Sequence, residues 1–294
     1  MSIANKVDVV LVSCDPTAGS TAQRDAVAAE LESLHCTVEA ASWDDDRSWG
    51  TASGVVISSG FNEAPRHEEF VAWLESVSTQ CVVVNPAELV AWGSHRRYLF
   101  DLEAAGVPIV ATRQIAQYAP WQFQRASLRR LAGKVVMKPA VASSGFGFGV
   151  FEAETLEAQA HLEAVTLLGD VIVQPYVSTV DTVGVSQIVV LGGDICHAVR
   201  SIGAHTVDHT VQPEERQLVA MVLDALPRPA LAACLELVWI GDEPVLLSCD
   251  VVGPDLHAEA GSPAIRRFAR LAIDTIHAPK IDGIVGRGPN GRPG

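Results

Sequence analysis

Apolar residues follow two rhythms along the first ninety positions. Residues 7–13 (VDVVLVS) form a near-continuous apolar run, the pattern of a buried strand. Residues 21–34 carry apolar side chains at 3.6-residue spacing, which predicts a helix with Ser20 as its N-cap. Segments 37–41 and 54–58 read as further strands, 66–77 as a helix and 81–84 as a strand. Alternating strand and helix implies a parallel sheet with helices on its faces. The loops after Ser13 and Ser58 then lie at strand carboxyl ends, where such sheets bind ligands.

The rhythm changes after residue 85. Two short helices are expected over 86–92 and 95–105, closed by Gly106 and followed by an extended segment at Pro108. A helix over 122–131 precedes a strand at 134–138, a Gly-rich run at 142–149 and a short strand at 150–152. Helix 155–168 and the apolar strand 171–174 follow, the latter stopping at Pro175. Segments 186–191 and 195–201 form a hairpin about Gly192-Gly193-Asp194. After helix 214–225 comes a second hairpin, 231–239 and 245–252, with Gly241 and Asp242 in its turn. Helix 263–276 closes the chain, and the Gly- and Pro-rich tail 279–294 is expected to be disordered.

Composition narrows the function. The chain has 294 residues, 48% hydrophobic and 19% charged, enough for two or three lobes. No apolar run approaches the roughly 20 residues that span a bilayer, and no cleavage pattern follows the first strand, so a cytoplasmic protein without a membrane partner is expected. A net charge of −14 argues against a nucleic-acid backbone as partner. The six cysteines are scattered without a CxxC pair, as expected of reduced, buried thiols.

Three segments carry candidate chemistry. Lys138 ends a strand and is followed by Pro139 and the run Ala142-Ser143-Ser144-Gly145-Phe146-Gly147-Phe148-Gly149. Small residues let backbone N–H groups approach phosphate oxygens, and a lysine beside them adds a point charge. The strand at 171–174 is broken by proline before Tyr176 and Val177, which predicts backbone groups free to meet an adenine edge. In the last hairpin, a three-residue turn sets Glu236 opposite Ser248 and Cys234 opposite Asp250, so Glu236 and Asp250 converge on one face. Mg²⁺ on a nucleotide commonly takes one or two carboxylates plus phosphate oxygens. Each segment taken alone also fits a plain loop, edge strand or solvated hairpin.

Their order carries a family resemblance. Arg96-Arg97-Tyr98-Leu99 with Gly106-Val107-Pro108, Val136-Met137-Lys138-Pro139, Gln174-Pro175-Tyr176-Val177, His197-Ala198-Val199-Arg200, and the Glu236 and Asp250 strands together resemble the ATP-grasp superfamily. Within it the chain is most similar to the ligases that close O-ureido-D-serine to D-cycloserine. The resemblance covers roughly 81–257 and implies an α/β chain, α+β in its C-terminal half. It implies a parallel α/β domain before the grasp (1–92), a subdomain with the phosphate loop (93–175), a subdomain with the metal hairpin (176–278) and the tail (279–294).

The resemblance also implies roles. Lys138 and Arg96 would contact ATP phosphates, and Ser143, Ser144 and Gly145 would belong to the covering loop. Gln174, Tyr176 and Val177 would form the adenine hinge, Arg200 would act with Lys138 in catalysis by facing the phosphates or an acyl-phosphate intermediate, and Glu236 and Asp250 would hold Mg²⁺. Asp255, His257 and His205 are candidates for touching a small polar substrate. The chain departs from the family at Arg96 (usually lysine), Val185 (an acid), Cys234 (an arginine), Ser248 (an acid) and His257 (an asparagine). These changes weaken the implied metal site. Two readings therefore stay open: an ATP-dependent ligase working through a phosphorylated intermediate, and a degenerate member that binds nucleotide without turnover or serves as a partner subunit. A homodimer is left open as well.

Overall fold

The computed structural model describes residues 7–13, 21–58, 66–131, 133–141 and 147–278. Strands β1 (Val7–Ser13), β2 (Val38–Ser42), β3 (Ala52–Ile57) and β4 (Val82–Val84) form a parallel sheet in the order β2-β1-β3-β4. Helices α1 (Thr21–Ser33) and α2 (His67–Ser78) alternate with them. This is the strand–helix alternation expected from the first ninety residues. Helices α3 (Ala87–Gly93) and α4 (Tyr98–Ala104) follow.

The second sheet is antiparallel and small. It comprises β5 (Arg113–Ile115), β6 (Lys134–Pro139), β7 (Gly149–Glu152) and β8 (Val171–Pro175) in the order β5-β8-β6-β7, with α5 (Trp121–Arg129) and α6 (Leu156–Thr166) packed against it. Alternation along β6 sends Val135 and Met137 into the core and leaves Val136 and Lys138 on the opposite face. Along β8 the same period separates core Val171 and Val173 from Gln174.

The third sheet holds β9 (Val185–Leu191), β10 (Asp194–Ile202), β11 (His205–Asp208), β12 (Ala232–Ile240) and β13 (Glu243–Asp250), ordered β11-β10-β9-β12-β13 and antiparallel throughout. Helix α7 (Pro213–Ala225) packs on β13, and α8 (Pro263–His277) lies against α1, β3, β4 and β9. Ser262 caps α8 by accepting from the Ile265 N–H, with Pro263 in the first turn.

Two apolar cores are shared between the first and third sheets, whereas a third, from Ile115 to Val173, belongs to the small sheet alone. Buried Asn85 joins the shared cores. Its Nδ2 donates to the Ala232 and Val251 carbonyls, both at 2.8 Å, and its Oδ1 accepts from Leu231 and Ala232 N–H.

Two strands escape the sequence pattern. β5 is three residues long, and β11 is exposed throughout, so neither shows an apolar period. The last hairpin keeps the expected pairing, Glu236 with Ser248 and Cys234 with Asp250, by a different route. Its turn is two residues, Gly241 and Asp242, and a bulge beyond Leu237–Leu246 supplies the missing residue. Among the described residues, Cys36, Cys81, Cys196, Cys234 and Cys249 are free thiols, and no helix is long and apolar enough to cross a membrane. Ser20, Ser143, Ser144, Gly145 and the tail 279–294 lie outside the described residues.

Candidate active site

The cleft face of the small sheet opens on a cavity of about 350 Å³ lined by Val136, Lys138, Gln174, Tyr176, Val177 and Val185, among others. Lys138 is half-buried and lines this cleft. Burial pulls its pKa down to about 8, Arg96 adds to the shift, and Glu236 opposes it. Gln174 donates from Nε2 to Thr112 Oγ1 at 2.9 Å, and its Oε1 is buried with no partner among the described residues. The backbone after Pro175 is less free than expected. The Tyr176 N–H donates to the Lys134 carbonyl at 2.8 Å, so the ladder continues one residue beyond the proline. The Tyr176 hydroxyl donates to Asp181, and Lys134 Nζ stands 5.3 Å from its ring centroid.

A second cavity, of about 340 Å³, lies along the end of the last hairpin, lined by Ser94, Gln187, Cys234, Asp250, Asp255 and His257, among others. Asp250, exposed at the end of β13, lines this cavity. Burial pushes its carboxyl up to about 6 and Glu236 adds to this, against a stabilising hydrogen bond from the Val252 N–H. Burial and then the carboxylates of Glu236 and Asp250 hold the Cys234 thiol protonated. Asp255 Oδ1 accepts from the His257 N–H at 2.7 Å, and the two side chains stand 3.8 Å apart. His257 has φ 44°, a left-handed conformation that is costly outside glycine.

The two cavities share a wall made by Arg96, Glu236 and Ser248. Arg96 is fixed to the end of β6: its N–H donates to the Ala140 carbonyl and its Nη1 to the Pro139 carbonyl at 2.7 Å. Glu236 accepts from Ser248 Oγ at 2.6 Å on Oε2 and from Gln187 Nε2 at 3.4 Å on Oε1. Gln187, Glu236 and Ser248 sit side by side on β9, β12 and β13. Sequence reasoning missed Gln187 and Ser94. Pairing β9 with β12 would have exposed Gln187, but that pairing joins strands of different hairpins.

Arg200 lines neither cavity. Its guanidinium is engaged by Ser186 Oγ at 3.1 Å, His209 and the buried Glu215 at 3.4 Å. Glu215 also accepts from Ser186 Oγ, His209, Trp239 Nε1 and the Gln212 N–H that it caps. These hydrogen bonds, led by the Gln212 N–H, outweigh burial and hold its carboxyl below the usual range. A buried acid of this kind needs a cation, and Arg200 supplies it. His205 lies exposed on β11, outside both cavities.

The residues fit a nucleotide. A largely apolar cavity carries an unpartnered acceptor on Gln174, and two cations, Lys138 and Arg96, line the same cavity. For a divalent ion the fit is thinner. No group of three His, Cys, Asp or Glu side chains converges among the described residues. Glu236 and Asp250, one diagonal step apart on the hairpin, suit an ion that takes its other ligands from phosphate and water.

Comparison with known proteins agrees with this architecture. Residues 9–85 match the family model of the D-cycloserine synthetase DcsG N-terminal domain. The chain is 28% identical over 269 residues to the cycloserine biosynthesis protein DcsG of Streptomyces lavendulae, covering 82% of this chain and 89% of that one. The crystal structure of D-cycloserine synthetase DcsG superposes with a TM-score of 0.81 at 24% identity, covering 91% of this chain and 99% of that one. A RimK-domain ATP-grasp protein of Sphaerobacter thermophilus gives 0.69 at 16% identity, over 90% and 99% of the two chains. D-alanine–D-alanine ligase of Bacillus anthracis, solved with ATP, gives 0.69 at 12%, over 93% and 97%. The chain thus has the ATP-grasp fold, with a similarity to DcsG that spans most of its length.

Proposed function

We propose that the protein is an ATP-dependent ligase that acts on a small, polar, amino-acid-like substrate through a phosphorylated intermediate. One observation carries the reading: two cavities, one mainly apolar and the other of mixed lining that includes Asp250, Asp255 and His257, meet at Arg96, Glu236 and Ser248. A phosphoryl donor in the first and an acceptor in the second would face each other across that wall. The similarity to DcsG and to D-alanine–D-alanine ligase supports the same class.

In this reading adenine occupies the slot between Val136 and Val185, where Gln174 Oε1 accepts from its exocyclic amine and Tyr176 and Val177 form the outer edge. Lys138 and Arg96 bind the phosphates. Mg²⁺, held by Glu236 and Asp250, would neutralise phosphate charge when the nucleotide is bound. Asp255 and His257 contact the substrate. The γ-phosphoryl group passes from ATP to a substrate oxygen and ADP remains. A nucleophilic nitrogen then displaces phosphate, and its proton is lost to water. The protein's share is positioning and charge stabilisation, and Arg96 stands where both cavities would feel its charge. Arg200 acts outside both cavities, bonded to Ser186 of β9 and to Glu215.

The test is ADP formation from ATP and Mg²⁺ in the presence of single amino acids, a D-amino-acid series and O-ureido-D-serine included. The ligase reading expects ADP release that depends on one of them and is lost in Lys138→Met. Saturable ATP binding with no substrate-dependent ADP would overturn it in favour of a nucleotide-binding protein without turnover.

A further inference from the structure

A chain of polar side chains crosses the five-stranded sheet strand by strand. Thr206 on β11 and Ser201 on β10 are joined at 2.9 Å. Ser201 Oγ donates to Gln187 Oε1 on β9 at 2.8 Å, Gln187 Nε2 donates to Glu236 on β12, and Ser248 on β13 donates to the other oxygen of Glu236. Ser201 has a single hydroxyl proton, which goes to Gln187, so Thr206 is the donor in the first link. Every donor in the chain therefore points toward Glu236.

We propose that Gln187, oriented by Ser201, is a positioning residue that aims the Glu236 carboxylate at the wall between the two cavities. The inference rests on the reading of Glu236 as a metal-binding carboxylate. The carboxylate itself dictates how the amide lies. Turned over, Gln187 would set its carbonyl oxygen against an acceptor-only carboxylate and lose its hydrogen bond to Glu236. With Gln187 on one oxygen and Ser248 on the other, Glu236 is pinned at both ends, and each oxygen keeps a lone pair for a cation. A short metal-site hairpin with two carboxylates depends on such support, because outer-shell partners commonly set ligand orientation and affinity.

The experiment is a Mg²⁺ titration of the full chain with ADP, read as the rise in thermal midpoint. Gln187→Leu is expected to raise the Mg²⁺ needed for half the effect by roughly tenfold or more, in line with a hydrogen bond to a charged group. Ser201→Ala, which never touches Glu236, should move the requirement in the same direction by less, and Ser201→Thr should restore it. If Glu236→Gln raises the Mg²⁺ requirement and Gln187→Leu does not, the positioning role is wrong while the metal reading stands. If Glu236→Gln changes nothing, both fall. Should Gln187→Leu fail to fold, the Ser201 pair decides: equal Mg²⁺ requirements in Ser201→Ala and wild type overturn the inference.

Discussion

Ser248 faces Glu236 across the final hairpin, and its hydroxyl donates to the carboxylate at 2.6 Å. The family pattern puts an acid at this position. A second carboxylate there would add a ligand and also a like charge directly across the strand pair. Ser248→Glu is therefore expected to lower the metal-free thermal midpoint and to cut the Mg²⁺ needed for nucleotide binding several-fold. Melting curves with and without Mg²⁺ check both signs. An unchanged Mg²⁺ requirement would mean that residue 248 does not face the ion.

Lys138 makes nucleotide affinity pH-dependent. Its amine titrates near 8, so it is charged below that value and loses charge as pH rises through it. Phosphate binding needs the charged form. ATP affinity is expected to hold up to about pH 7.5 and then fall by up to about tenfold by pH 9. Lys138→Arg keeps its charge throughout and should give a flat profile over the same range. Calorimetric titrations at a series of pH values compare the two.

Asn85 links stability to the site. Its side chain satisfies four backbone groups of the segments that carry the last hairpin, including the carbonyl of Val251 beside Asp250. Asn85→Ala leaves those groups buried and unpaired, at an expected cost of about 3 kcal/mol or more. Urea denaturation measures the loss. The Mg²⁺ requirement of the surviving folded protein should rise with it, because Asp250 loses its support.

Much of this was legible from the chain, for identifiable reasons. The parallel sheet follows from apolar runs such as that of β1 alternating with helical periods. The cleft face of β6 follows from strict alternation about Lys138. Short or exposed strands left no such trace, which is why β5 and β11 went unseen. The Glu236–Ser248 pairing was reached by assuming a three-residue turn, while the chain achieves it with two turn residues and a bulge. A bulge changes register by one without marking the sequence. Arg200 shows the other limit: its motif suggests phosphate, and only the fold reveals the buried acid at Glu215 that engages it. Gln187 belongs to the site through a pairing between distant strands, which no local pattern encodes.

In the proposed ligase, ATP lies in the Lys138 cavity against the wall shared with the second cavity. Isothermal titration of ATP with Mg²⁺ into the wild-type chain and into Lys138→Met tests it most directly. Saturable binding is expected of the wild type, and binding at least about tenfold weaker of the variant. Equal affinity in the two, or no binding by the wild type at millimolar ATP, would contradict it.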